Sequence, residues 1–257
     1  MPKATVKGVQ LYYEVHGSGP ALVFAHGAGG NHLSWWQQVP FFAKRYTCVT
    51  FDHRGFGYSQ NTPSSSCHTD YAADLLGLLD YLGVERTSLV GQSMGGSICL
   101  SFAVANPERV NALILADTTA RIADRAIMER QKIRMANGEI PTDRLGRVLS
   151  LRFRDEQPEM TFLYAQIAAL NLFRSDSLPA VTTSEGTSTE ELSNFRTPTH
   201  FIVGTEDTIF LPDTVRAVAR YISGAGVTEV HGAGHSVYFE KPEIFNQVVL
   251  TFLARVT

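Results

Sequence analysis

Gly91-Gln92-Ser93-Met94-Gly95 sets a hydroxyl between two glycines, where an apolar run ends and a helical pattern begins. A chain that leaves a strand and enters a helix at once has little room for Cβ atoms, and flanking glycines relieve the crowding. The turn lifts the Ser93 hydroxyl above the sheet edge and aims free helix N–H groups at negative charge developing there. Serine is a weak nucleophile alone, so the reading requires a base, and the base requires a carboxylate to orient it. Two later loops carry the right types: Gly204-Thr205-Glu206-Asp207 and Gly232-Ala233-Gly234-His235, each after an apolar run. Functional groups of an open α/β sheet gather at the C-terminal strand ends. Ser93, Asp207 and His235 are therefore the candidate nucleophile, acid and base. Glu206 competes with Asp207; adjacent loop side chains point apart, and the placement after Gly204 favours Asp207. Taken singly, His235 also fits a surface loop and Asp207 a turn cap.

Attack on a carbonyl carbon puts negative charge on its oxygen, which pre-aimed N–H donors stabilise. Met94, just after the nucleophile, offers one donor. The second is expected from His26-Gly27-Ala28-Gly29-Gly30, whose small residues let backbone approach a substrate. Ala28 is the candidate there, with Gly29 as the alternative. His26 is read as shaping this loop by hydrogen bonds rather than as the base.

These groups need a sheet whose strands end in their loops. Short apolar runs read as strands at 10–15, 21–25, 46–51, 87–90, 112–116, 200–203 and 227–230. Helical spacing appears at 71–82, 97–105, 213–221 and 242–253. Between 118 and 193 the alternation stops and helical runs are separated by turn signals, with 185–190 read as a return loop. The expected architecture is an α/β core, 1–117 and 194–257, interrupted by a helical insertion at 118–193. From 121 to 154 nine Lys/Arg face four Asp/Glu; a solvated helix face is the plain reading, and steering of anionic substrates the other.

Composition excludes several classes. The 257 residues are 44% hydrophobic, enough apolar material to rule out disorder. A net charge of −3 argues against a nucleic-acid partner. No apolar stretch is long enough for a membrane span, and the alternating N-terminus lacks a signal-peptide core. Cys48, Cys67 and Cys99 cannot all pair internally, so a reducing cytoplasm is the expected compartment. The histidines do not fall at ligand spacing, and no metal is expected.

The chain resembles the α/β-hydrolase superfamily at five points: H-G-A-G-G at 26–30, D-H-R-G-F-G-Y-S at 52–59, G-Q-S-M-G-G at 91–96, G-T-E-D at 204–207 and G-A-G-H at 232–235. The order Ser93, Asp207, His235 is the one such a fold requires. The resemblance implies a mostly parallel eight-stranded sheet with helices on both faces, a helical cap over the site, and chemistry without a cofactor. It also implies that Asp52 and Arg54 are structural.

Serine at 93 excludes relatives that use an aspartate nucleophile there. The expected reaction is hydrolysis of a carboxylic ester with a small to medium, largely apolar acyl group by way of an acyl-enzyme, with a lactone as an alternative because the chemistry is the same. The alternatives are a carbon–carbon bond hydrolase of meta-ring-fission products, which often has an aromatic residue where Ser236 stands, a cofactor-free haloperoxidase, and a hydrolase-like signalling receptor. A pocket between core and insertion is expected to draw on Leu33, Trp36, Met128, Met135, Phe153, Met160, Phe162, Tyr164, Phe210 and Val237, residue types equally at home in a plain core. Oligomeric state, monomer or homodimer, stays open.

Overall fold

The computed structural model describes residues 2–59, 68–171 and 186–256. Cys67 and part of the expected insertion, 172–185, lie outside them. Eight strands form one sheet: β1 (Lys3–Val6), β2 (Val9–His16), β3 (Ala21–Ala25), β4 (Thr47–Phe51), β5 (Thr87–Gln92), β6 (Val110–Ala116), β7 (Thr199–Gly204) and β8 (Gly226–Val230). Their spatial order is β1-β2-β4-β3-β5-β6-β7-β8. β1 and β2 run antiparallel to their neighbours and the others run parallel.

The central strands are apolar throughout because both sheet faces are covered. Alternate residues divide between the two cores. Val23, Leu89, Leu113 and Phe201 point to one face. There they meet α2 (His68–Tyr81), α3 (Met94–Ala105) and α9 (Pro212–Ala219), through Leu75 and Leu78, Phe102, and Val215 and Val218. Leu22, Phe24, Val90, Ile114 and Ile202 point to the other face. They pack with Phe42 of α1 (Val39–Phe42), Phe239 of α10 (Val237–Glu240), and Phe245, Val249 and Leu253 of α11 (Pro242–Val256). Phe24 is fully buried, and removing such a side chain from water contributes roughly 2 kcal/mol.

Between β6 and β7 the described residues form α4 (Arg125–Ala136), α5 (Arg144–Val148), α6 (Leu151–Glu156), α7 (Pro158–Ala169) and α8 (Thr189–Ser193). These helices lie between 118 and 193, and α8 starts inside the stretch read as a loop. Ser188 caps it and Glu191 closes a capping box, a local signal that Ser/Thr richness masked. β1 was not expected either: four residues are short for periodicity, though Ala4 and Val6 are buried on one face. α3 begins at Met94, three residues before the expected start. Gly95 and Gly96 are poor helix formers, but packing favours them here.

The helices of this stretch dock on the loops at the C-terminal sheet edge. Asn171 donates to the carbonyls of Gly29 (3.1 Å) and Gly30 (3.2 Å) and accepts from the Gly57 N–H (2.8 Å). Arg144 donates to the Gly29 carbonyl at 3.0 Å. Arg134 is buried and donates to the carbonyls of Thr208 (2.8 Å) and Ile209 (3.2 Å).

Candidate active site

Ser93 lies between the last residue of β5 and the first of α3, with φ 50° and ψ −114°. A non-glycine residue in such a region costs of order 1–3 kcal/mol and is held by its surroundings. The Ser93 N–H donates to the Ala116 carbonyl (2.9 Å), and its carbonyl accepts from the Thr118 hydroxyl (2.9 Å). The neighbouring glycines are required by space. A Cβ on Gly95 would lie 2.1 Å from the Ala25 carbonyl oxygen, and one on Gly91 2.6 Å from that of Gly95.

The β7 and β8 loops bring the other two groups in. His235 Nε2 is 3.0 Å from Ser93 Oγ, and its Nδ1 is 2.9 Å from Asp207 Oδ2. A carboxylate at Nδ1 makes that nitrogen the donor and leaves Nε2 to accept from the serine hydroxyl. Asp207 Oδ1 accepts from the N–H groups of Ile209 (2.8 Å) and Phe210 (3.0 Å), which fixes the carboxylate plane. Asp207 is buried and Glu206 exposed. Burial pulls the His235 pKa down. The charge and hydrogen bond of Asp207, with Asp117 and Glu240 beyond, more than reverse it, and the imidazole sits above the usual histidine value.

The 26–30 loop lies against this elbow: a Cβ on Gly27 would be 3.2 Å from Ser93 Cβ. Ala28 is partly exposed in this loop, and Met94 opens α3, where no preceding turn offers its N–H a carbonyl. His26 is fully buried with both ring nitrogens engaged. Nδ1 donates to the Gly27 carbonyl (2.8 Å), and Nε2 accepts from the His53 N–H (3.1 Å). Burial holds its pKa at about 4. The 52–59 loop is built around Asp52. Its oxygens accept from the His32 N–H (2.6 Å), His32 Nδ1 (2.9 Å) and the Tyr58 N–H (2.7 Å). Arg54 forms a two-pronged pair with Asp74 at 2.6 Å for each contact.

Beside Ser93 is a cavity of about 300 Å³, lined by Thr119, Arg121, Ile122, Ile127, Met128, Gln131, Met135, Gly186, Ile209, Phe210 and Thr214. Of the ten residues expected to line a pocket, Met128, Met135 and Phe210 line this one. Tyr164 lies in a separate, much smaller cavity against the 29–30 backbone, and its hydroxyl is 3.2 Å from Ser236 Oγ. Val237, in α10, and Phe153 and Met160 pack into the core cluster that also holds residues of α11. Leu33, Trp36 and Phe162 are exposed, Phe162 at 66%. The physical reason is helix rotation: residue type marks an apolar face, but packing decides whether that face meets core, cavity or water.

Sequence reasoning missed three supporting side chains. Gln92 is buried and donates to the His235 carbonyl at 2.8 Å. Glu240 accepts from the N–H of Gly234 (3.0 Å) and from the hydroxyl of Ser150, the cap of α6 (2.7 Å). Asp117 directly follows β6 and is fully buried. Gln92 sits inside the G-x-S-x-G motif, and Asp117 directly follows an apolar run, so both were visible as polar residues at strand ends. Their partners are far away in the chain and were not.

Fold and site together define a class: the chain belongs to the α/β-hydrolase family, whose model matches residues 20–191. Along nearly its whole length it is similar to 3-oxoadipate enol-lactonase 2 of Acinetobacter baylyi, with 27% identity over 98% of this chain and 96% of the relative. It is also similar to a 2-hydroxy-6-oxononadienedioate/2-hydroxy-6-oxononatrienedioate hydrolase of Paraburkholderia xenovorans, with 29% identity over 96% of this chain and 91% of the relative. Among solved structures, a thermophilic esterase from Thermogutta terrifontis superposes with TM-score 0.81 and 26% identity, covering 99% of this chain and 98% of that one. Other relatives carry the names of carbamate hydrolases and non-heme bromoperoxidases, so the names span several reactions. No described helix is long and apolar enough to cross a membrane.

Proposed function

We propose that this hydrolase cleaves carboxylic esters or lactones through an acyl-enzyme on Ser93. The carrying observation is the continuous chain Asp207–His235–Ser93, with contacts of 2.9 and 3.0 Å. Ser93 Oγ attacks the acyl carbon while His235 Nε2 takes its proton, and the charge forming on the carbonyl oxygen is met by the N–H groups of Met94 and Ala28. The collapsing intermediate expels the alcohol, which leaves with the proton from His235. In a lactone this alcohol stays tethered to the acyl group. A water molecule, deprotonated by His235, then attacks the acyl-enzyme and releases the acid. No step requires a cofactor.

The cavity walls, mainly Ile122, Ile127, Met128, Ile209 and Phe210, suit a small to medium acyl group of largely apolar character. In this reading the α4–α8 stretch acts as a cap. The enol-lactonase and esterase likenesses support the ester and lactone chemistry. The Paraburkholderia relative supports a second reading, cleavage of a carbon–carbon bond in a ring-fission product; Ser236 after His235, where an aromatic residue would suit that chemistry, favours the first. A panel of p-nitrophenyl esters, lactones and ring-fission dienols, compared by kcat/KM, separates them. Turnover of esters or lactones at least a hundredfold above dienols is expected. The reverse ranking would establish the second reading, and a single slow cycle on every substrate would make the chain a receptor.

A further inference from the structure

Asp117 makes two contacts that the reaction above does not explain. It stands at the C-terminal end of β6, fully buried, with φ 49°. Its Oδ1 accepts from the Gly204 N–H at 3.3 Å and its Oδ2 from the Val237 N–H at 3.0 Å. Gly204 is the last residue of β7 and precedes Asp207 by three; Val237 opens α10 two residues after His235. One carboxylate therefore spans the roots of the acid loop and the base loop. The left-handed conformation of Asp117 is one that Asp and Asn tolerate better than most residues.

We infer that Asp117 is a positioning residue: its side chain clasps the two loops so that Asp207 meets His235 in register. The inference rests on the catalytic reading of Ser93, Asp207 and His235. The groups whose charge acts on His235 are Asp207, Asp117 and Glu240; Tyr238 lies within electrostatic reach of Asp117. Burial first, and then Asp207, push Asp117 well above the ordinary carboxylate range, while His235 and the two N–H donors oppose that rise. Asp207 bonds the imidazole directly, and Asp117, which burial favours in its neutral form, holds the frame.

The sign of the effect is defined. The Asp207 carboxylate at Nδ1 favours the imidazolium, so loosening the clasp weakens that pairing and lowers the His235 pKa. Asp117→Asn keeps the shape and one acceptor but turns an amide N–H group toward one of the two backbone N–H donors. The acid limb of kcat/KM against pH should move down by about half to one unit. In the same variant kcat should fall roughly tenfold to a hundredfold, with KM for a p-nitrophenyl ester little changed. A folded variant whose limb does not move overturns the proposal, since a merely structural carboxylate would cost stability and leave the midpoint in place. Asp117→Ser, which removes both carboxyl oxygens, should move the limb at least as far. The wild-type chain supplies a reading free of variants: in an NMR acid titration, the amide resonances of Gly204 and Val237 should shift in the same transition as the His235 ring. Independent transitions overturn the clasp. That titration needs no turnover, so its failure is distinct from a failure of the ester or lactone reading.

Discussion

In the proposed reaction a proton leaves the Ser93 hydroxyl, and His235 can accept it only in the neutral form. The His235 pKa lies above the ordinary histidine value, so activity should be lost as pH falls through that raised value. A kcat/KM profile should place the acid limb above about 6.5; a limb below that value would show that Asp207 does not act on the ring as its 2.9 Å contact requires. Asp207→Asn should lower kcat by about ten-thousandfold, the scale seen when a triad aspartate loses its charge. Glu206→Gln should stay within about twofold of wild type, because Glu206 is exposed. The opposite ranking in a steady-state assay would move the acid to Glu206. Ser93, Asp207 and His235 were legible because each stands in a loop that ends a strand. Asp117 and Glu240 were not, because a buried carboxylate is explained only by distant donors such as the N–H groups of Gly204 and Gly234.

At the scale of elements, the β5–α3 turn is the part with least freedom. The methyl group of Gly95→Ala would enter the space of the Ala25 carbonyl, which belongs to a buried strand and cannot yield cheaply. A loss of at least about 2 kcal/mol in urea unfolding is expected, along with loss of turnover. Unchanged stability would mean that α3 shifts freely against β3. The strands were legible because β3, β5, β6 and β7 are short apolar runs closed by a loop. The helices between β6 and β7 were legible as helices but not in orientation. In α4 the charged Arg134 is buried, on the carbonyls of Thr208 and Ile209, while Ile133 and Met135 are 51% and 64% exposed. Apolar character alone would have turned that helix the other way.

For the whole molecule, pH acts on the fold through more than the site. His26 is neutral in the folded chain, with a pKa of about 4 against 6.5 ordinarily. A base held neutral by folding takes up its proton more readily when unfolded. The stability this provides is complete above pH 6.5 and lost as pH falls toward 4, about 3 kcal/mol across that interval from 2.5 units at 1.36 kcal/mol each. Glu240, whose pKa burial raises to about 6, opposes it within that interval, whereas the raised pKa of His235 acts above pH 6.5. The ionised Glu240 is penalised in the fold above pH 6, and protonation relieves that cost as pH falls to 4.5. His26→Gln should therefore show a shallower loss of stability between pH 6.5 and 4 than wild type, by about one proton in the slope. Equal slopes in urea titrations would remove His26 from this role. The sheet's two-faced cores could be read from alternation along β3, where Leu22 and Phe24 face one way and Val23 and Ala25 the other.

Covalent capture tests the central claim most directly. The protein is mixed with a p-nitrophenyl ester, quenched in acid within the first turnover, digested, and analysed by mass spectrometry. One acyl group should be found on the peptide that contains Ser93, and Ser93→Ala should carry none and release no p-nitrophenol above background. An acyl group on another residue, or sustained turnover by a folded Ser93→Ala, would contradict the account.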